Sequence, residues 1–203
     1  MHANSKEEGS MADIKFGYPN QASGYPFTEE EIDQLMTKAR ECALNWTTQD
    51  GWPVGVMHVY VWHEGHLWLS FMSHRHRAAA IRRDPRVSII VSSTSAPPDA
   101  PQGQATMKGR GVFHDDLETL HWFYRALGEK TSPGNKAAQD ALFESLESPL
   151  RTVLEVIPEK WITFDTGKMM RDQLGTLQDS ERGRLLPVDT IRMQAEIKRR
   201  GLD

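Results

Sequence analysis

One cysteine in 203 residues, Cys42, leaves nothing to pair in an intrachain disulfide and no basis for a Cys-rich zinc site, and it fits a reducing compartment. Long apolar runs are missing too. No stretch approaches the ~18 residues of a membrane span, and the start lacks the basic-then-apolar pattern of an export signal. A cytoplasmic protein that keeps off the membrane is the expectation. Nor is there an excess of positive charge: 24 Lys and Arg against 28 Asp and Glu give a formal net charge of -4, so no global field favours nucleic acid. Repeats and low-complexity tracts are absent. The 38% hydrophobic and 26% charged residues describe an ordinary globular chain, long enough for one β-barrel with additions.

The opening residues are polar and aperiodic, so 1–25 are expected to be a weakly ordered segment, followed by one domain over 26–167 and an extension over 168–203. Thr28 and Glu31 have the spacing of a capping box, and Ile32, Leu35, Met36 and Ala39 repeat at helical intervals, which predicts a helix over 28–40. From there the pattern becomes β-like, with runs at 43–48, 53–62, 66–72, 86–92, 104–114 and 151–164. Gln49-Asp50-Gly51 and His63-Glu64-Gly65 supply hairpin turns, so the first strands read as a meander. In 53–62 both alternating sets of residues are largely apolar. Such a strand has core on one side and a partner or ligand on the other. Further helices are predicted over 74–83, over 115–127 with Gly128 as its stop, over 135–147, and over 189–200 in the extension. The fold class is therefore α+β, mainly β with helices, built on a six-stranded antiparallel barrel or sandwich.

Three groups of residues compete to carry chemistry. Ser70-Phe-Met-Ser-His-Arg-His-Arg77 places hydroxyls at a strand end ahead of two arginines and a helix start. Arginine offers a bidentate charged clamp, serine a neutral donor and the helix end oriented amides, which together suit a phosphate. The competing reading makes Arg75 and Arg77 a solvated helix start. His58, His63, His66, His74 and His76 crowd one region, but no H-E-x-x-H pair accompanies them, so they read as turn and surface histidines and no metal site is assigned. Cys42 reads as a small buried hydrophobe. Trp62, Trp68 and Trp161 read as packing residues, with stacking on a planar cofactor as the alternative.

The run from Leu67 to Val91, with Asp84-Pro85-Arg86-Val87-Ser88 after the short helix, resembles the core of the pyridoxamine 5′-phosphate oxidase-like FMN-binding split barrels. The likeness covers roughly residues 28–167. It implies FMN across a homodimer interface, with the phosphate on the basic pair and the ring against the second strand. By position, Ser70, with Phe71 beside it, is similar to the phosphate hydroxyl, while Arg75 and Arg77 resemble the clamp and His76 stands where a gapless alignment puts a family arginine. Val56, Met57 and His58 match the strand facing the ring, and Gln104 is similar to a flavin-contacting glutamine. The segment Thr163-Phe-Asp-Thr-Gly-Lys-Met-Met170 departs from the Arg-x-His pattern with which the true oxidases grip pyridoxal phosphate, so vitamin B6 oxidation is not expected.

The resemblance thus implies an FMN-dependent oxidoreductase acting on a small organic substrate, and His58 and His74 are expected near the ring or the substrate mouth as donors. Fold alone does not choose the cofactor. An F420-dependent reductase would draw on Arg82, Arg83 and Arg110 for a longer anionic tail. A haem-binding protein would use His58 or His74 as a ligand, and an interaction protein with a vestigial site completes the set.

Overall fold

Thr28 caps α1 (Glu29–Lys38) in both directions, its hydroxyl accepting from Glu31 N at 3.1 Å while the Glu31 carboxylate accepts from Thr28 N at 2.7 Å. Ile32, Leu35 and Met36 then face inward. In the computed structural model, which describes residues 21–202, the chain next builds β1 (Glu41–Thr47), β2 (Pro53–Val59), β3 (Val61–His63) and β4 (His66–Met72). After α2 (His76–Arg83) come β5 (Arg86–Ser92) and β6 (Gly103–His114), then α3 (Leu117–Thr131), α4 (Lys136–Leu146) and β7 (Arg151–Asp165). All pairings are antiparallel, in the order β2-β1-β5-β6-β7-β4-β3.

The sheet has seven strands where the sequence pattern predicts six, because the run over 53–62 is divided at Tyr60. Tyr60 is fully buried, and its hydroxyl donates to the Met36 carbonyl at 2.7 Å, as a buried phenol requires. The division places the sheet's two edge strands consecutively in the chain: β2 pairs with β1 and β3 pairs with β4. The antiparallel sheet therefore curls round on itself. Inside the curl lie Cys42, Leu44, Leu67, Leu69, Phe71, Ile89, Met107 and Leu154, joined by α1. Burial pushes the Cys42 thiol up, so it behaves as the apolar residue expected.

β2 begins after a tight turn in which Gly51 takes φ of 87°. Opposite, β7 carries a bulge beside Pro158, which has no N–H to give the ladder. α3 and α4 cover the outer side of β4 and β7, packing Leu120, Phe123, Tyr124 and Leu127 against Val153, with Trp68 and Trp122 around them. α3 runs through Gly128 to Thr131 rather than stopping there. A Cβ at Gly128 would lie 3.3 Å from that of Gln139, so this glycine permits close approach of α3 and α4 instead of ending a helix.

Residues 27–165 form one compact unit, and, among the described residues, 21–26 together with 166–202 form a second. Within the second unit, α5 (Thr166–Gln173), which the sequence pattern did not predict, brings the Lys168 ammonium to donate to the Pro26 carbonyl at 2.8 Å. α6 (Pro187–Arg200) starts two residues before its predicted origin, with Pro187 in the first turn, and closes on Gly201. Of the N-terminal segment expected to be weakly ordered, residues 1–20 lie outside the described residues.

Candidate functional site

β4 alternates strictly, sending Leu67, Leu69 and Phe71 inward. The chain then turns into α2, whose first residues stand over the inner end of that strand. The Arg77 guanidinium carbon lies 4.9 Å from the centre of the Phe71 ring. From β2, the His58 ring approaches the same phenylalanine at 5.9 Å, tilted by 50°. Phe113 of β6 meets Phe71 edge-on at 6.1 Å and carries Arg82 on its own face at 4.4 Å. Three separate strands and α2 thus converge on a pair of phenylalanines.

The polar atoms gathered there are not satisfied. His58 Nε2 and Arg77 Nε are buried without a hydrogen-bond partner among the described residues. Desolvation and, next, the Arg77 charge push the His58 imidazole down to about 4, so it is neutral at neutral pH. Burial and then Arg75 act against the charged form of Arg77. Among the described residues neither Arg75 nor Arg77 forms an ion pair, whereas the later arginines of this region are engaged. Arg82 donates to the Ser73 carbonyl, Arg83 to the Thr47 carbonyl at 2.8 Å, and Arg86 holds Asp84 at 2.6 Å. Unsatisfied buried polar atoms of this kind cost ~1–3 kcal/mol or more each. An anionic group beside Arg77 would accept from its Nε, so this arginine fits a phosphate-bearing cofactor.

The remaining predicted positions divide between the two faces of the sheet. Val56 is on the inward side of β2 with His58, since the two pair with Leu44 and Cys42. Met57 projects the other way and is 62% exposed. Ser70 neighbours Phe71 but, by strand alternation, faces outward, where its buried hydroxyl also lacks a partner among the described residues. Arg75 stands at the N-cap position of α2 without a side-chain capping hydrogen bond and His76 opens the helix, both exposed, as is His74 before them. Gln104 is exposed near the start of β6, opposite Ser92 and Phe164.

The tryptophans pack within the protein, Trp62 on Trp161 and Trp68 on Trp122. His66 Nδ1 and His114 Nε2 hydrogen-bond opposite oxygens of the Glu155 carboxylate at 2.6 and 2.8 Å. Among the described residues no cluster of His, Cys, Asp and Glu is placed to hold a metal ion. Sequence reasoning passed over a groove of 1340 Å³ on the outer side of β1, β2 and β5, and with it Lys130 in its wall. The signal was present: Lys130 continues the Phe123, Leu127 stripe of α3, a lysine on an apolar helical face.

A sequence-family model described as pyridoxamine 5′-phosphate oxidase matches residues 28–165. The chain belongs to that family of curled antiparallel barrels. Among solved structures, a conserved hypothetical protein from Mycobacterium tuberculosis superposes with a TM-score of 0.61 at 20% identity, over 71% of this chain and 89% of that one. HutZ, the haem storage protein of Vibrio cholerae, gives 0.51 at 17% identity, over 68% and 96%. At such identities these likenesses show the fold. No curated protein gives a significant match to the chain. No helix among the described residues is long and apolar enough to cross a membrane.

Proposed function

We propose that this chain binds FMN and acts as an oxidoreductase on a small organic substrate, with the cofactor seated where two copies of the chain meet. Arg77 carries the reading: in a family described as pyridoxamine 5′-phosphate oxidase, this half-buried guanidinium lies over Phe71 with, among the described residues, its Nε unsatisfied and no carboxylate paired to it. Arg77, aided by the exposed Arg75, would hold the phosphate through charge-assisted hydrogen bonds. The neutral His58 offers the same locality a nitrogen that donates or accepts without adding charge. When bound, a flavin supplies hydride or electron transfer, so the protein contributes binding, orientation and electrostatics.

The engagement of the other arginines favours FMN over F420. Arg82 and Arg83 donate to backbone carbonyls and Arg110 is held by Glu159 at 2.5 Å, leaving less free positive charge for a long anionic tail. Haem remains the reading favoured by one observation, the neutral His58 with its free Nε2. The visible spectrum of the purified protein tests these readings, with flavin maxima expected. A Soret band supports haem instead, and a colourless protein that takes up no FMN on titration overturns the proposal. Unchanged FMN retention in the Arg75→Ala, Arg77→Ala double variant removes the phosphate assignment, and light scattering tests the paired state.

A further inference from the structure

We infer that the groove over β1, β2 and β5 receives a small organic carboxylate with an apolar body, and that Lys130 is the counter-ion that selects it. The inference rests on the proposed function only in treating the groove as a substrate site. Its floor is apolar, formed by Ala43, Met57, Val59 and Ile90, and an exposed set of this kind favours a hydrocarbon or ring. Lys130 enters from the end of α3. Its Nζ is buried and has no hydrogen-bond partner among the described residues, although an ammonium is purely a donor. It lies over the Tyr60 ring, 3.8 Å from the centroid, and that phenol's own proton is given to Met36. Such a cation gains more from an incoming carboxylate than a solvated one does, because its hydration is already lost.

The other charges of the groove sharpen the choice. Lys38 is held by Asp99 at 2.6 Å, and Arg40 is exposed to solvent. Glu41 and Glu129 also line the groove, and their charge opposes a dianionic phosphate more than a monocarboxylate. Burial lowers Lys130 to about 8, while the Cys42 thiol and Tyr60 phenol stay protonated because burial raises both, so neither gives Lys130 a counter-charge. Below pH 8 Lys130 is charged and the preference for an acid is present; above it the preference fades. The long, unbranched side chain lets the ammonium move from the Tyr60 face toward the ligand.

The test compares acids with their neutral isosteres, benzoate against benzamide and hexanoate against hexanamide, by calorimetry or ligand-detected NMR on the full chain as purified. At pH 7 the acids should bind ~10-fold or more tighter than the amides, the scale of one charge-assisted hydrogen bond. The difference should shrink above pH 9, vanish in Lys130→Met and persist in Lys130→Arg. Equal binding of acid and amide by the unaltered protein, no binding of either, or a preference that survives Lys130→Met would each overturn the inference. A protein that retains flavin yet shows no acid preference fails here alone. One that lacks flavin but keeps a Lys130-dependent preference fails only the cofactor reading.

Discussion

Arg77 and Arg82 both stack on phenylalanine rings that meet edge to face, yet they do different things. Arg82, on Phe113, donates to the Ser73 carbonyl and lies 4.0 Å from Asp115, so its cation is tied into the protein. Arg77, on Phe71, is partly desolvated and has neither an ion pair nor a partner for its Nε among the described residues. One helix thus carries a fastening arginine at its end and an available one at its beginning. Proximity to an aromatic ring does not separate them. What separates them is whether the donors are spent, and that is the better guide to a binding residue.

Phe71 supports both sides of this comparison, and removing it has the largest expected effect. It is 3% exposed within the core, so Phe71→Ala should lower stability by ~3–5 kcal/mol, read as a large fall in the thermal midpoint. A mild effect would mean that the ring is not the platform on which Arg77 and His58 rest. Exchanging the two arginines for alanine in turn should then separate binding from fastening. Arg77→Ala is expected to weaken FMN ~10–100-fold with little change in melting, since it removes charge-assisted hydrogen bonds. Arg82→Ala should do the reverse, costing about 1 kcal/mol through its lost stacking and leaving FMN affinity nearly intact. Similar behaviour of the two variants would erase the distinction.

Much of this was legible in the residues. The capping box at Thr28 and the glycine turn at Gly51 act through nearest neighbours, and the alternation of β4 is a strict period, so each survives folding unchanged. Tyr60 is different. Its run is apolar on both alternations, and only the Met36 carbonyl, distant in sequence, shows why the strand divides there. Gly128 misled for a similar reason, because the close approach of Gln139 that requires a glycine is tertiary. The basic residues in and around α2 were visible as a group, but their sorting into free and engaged was not. That sorting depends on Ser73, Thr47 and Asp84, which no spacing rule brings to them.

A smaller effect concerns the neutral histidine at the available end. His58 titrates near 6.5 when unfolded and about 4 in the fold, so between these values the unfolded chain binds more protons. Stability from this source is complete above pH 6.5 and is lost as the pH falls toward 4. Thermal midpoints measured from pH 7 down to pH 4 should therefore fall, and His58→Gln should flatten part of that fall. An unaltered profile in the variant would place the acid sensitivity elsewhere and leave Arg77 without its neutral neighbour.

Arg75 should give the smallest effect, and it tests whether burial or mere charge makes Arg77 available. Both residues stand at the start of α2, but Arg75 is exposed while Arg77 is half-buried over Phe71. An exposed cation acts on a phosphate through water and is screened within ~10 Å at 0.1 M salt. Arg75→Ala should accordingly weaken FMN only a few-fold at low ionic strength, the difference disappearing near 1 M salt, while the loss in Arg77→Ala persists there. Fluorescence titration of FMN at both salt concentrations reads the contrast directly. If the two variants lose affinity equally and lose it equally to salt, the beginning of α2 acts as an undirected positive patch and its contact with Phe71 has no part in selecting the ligand.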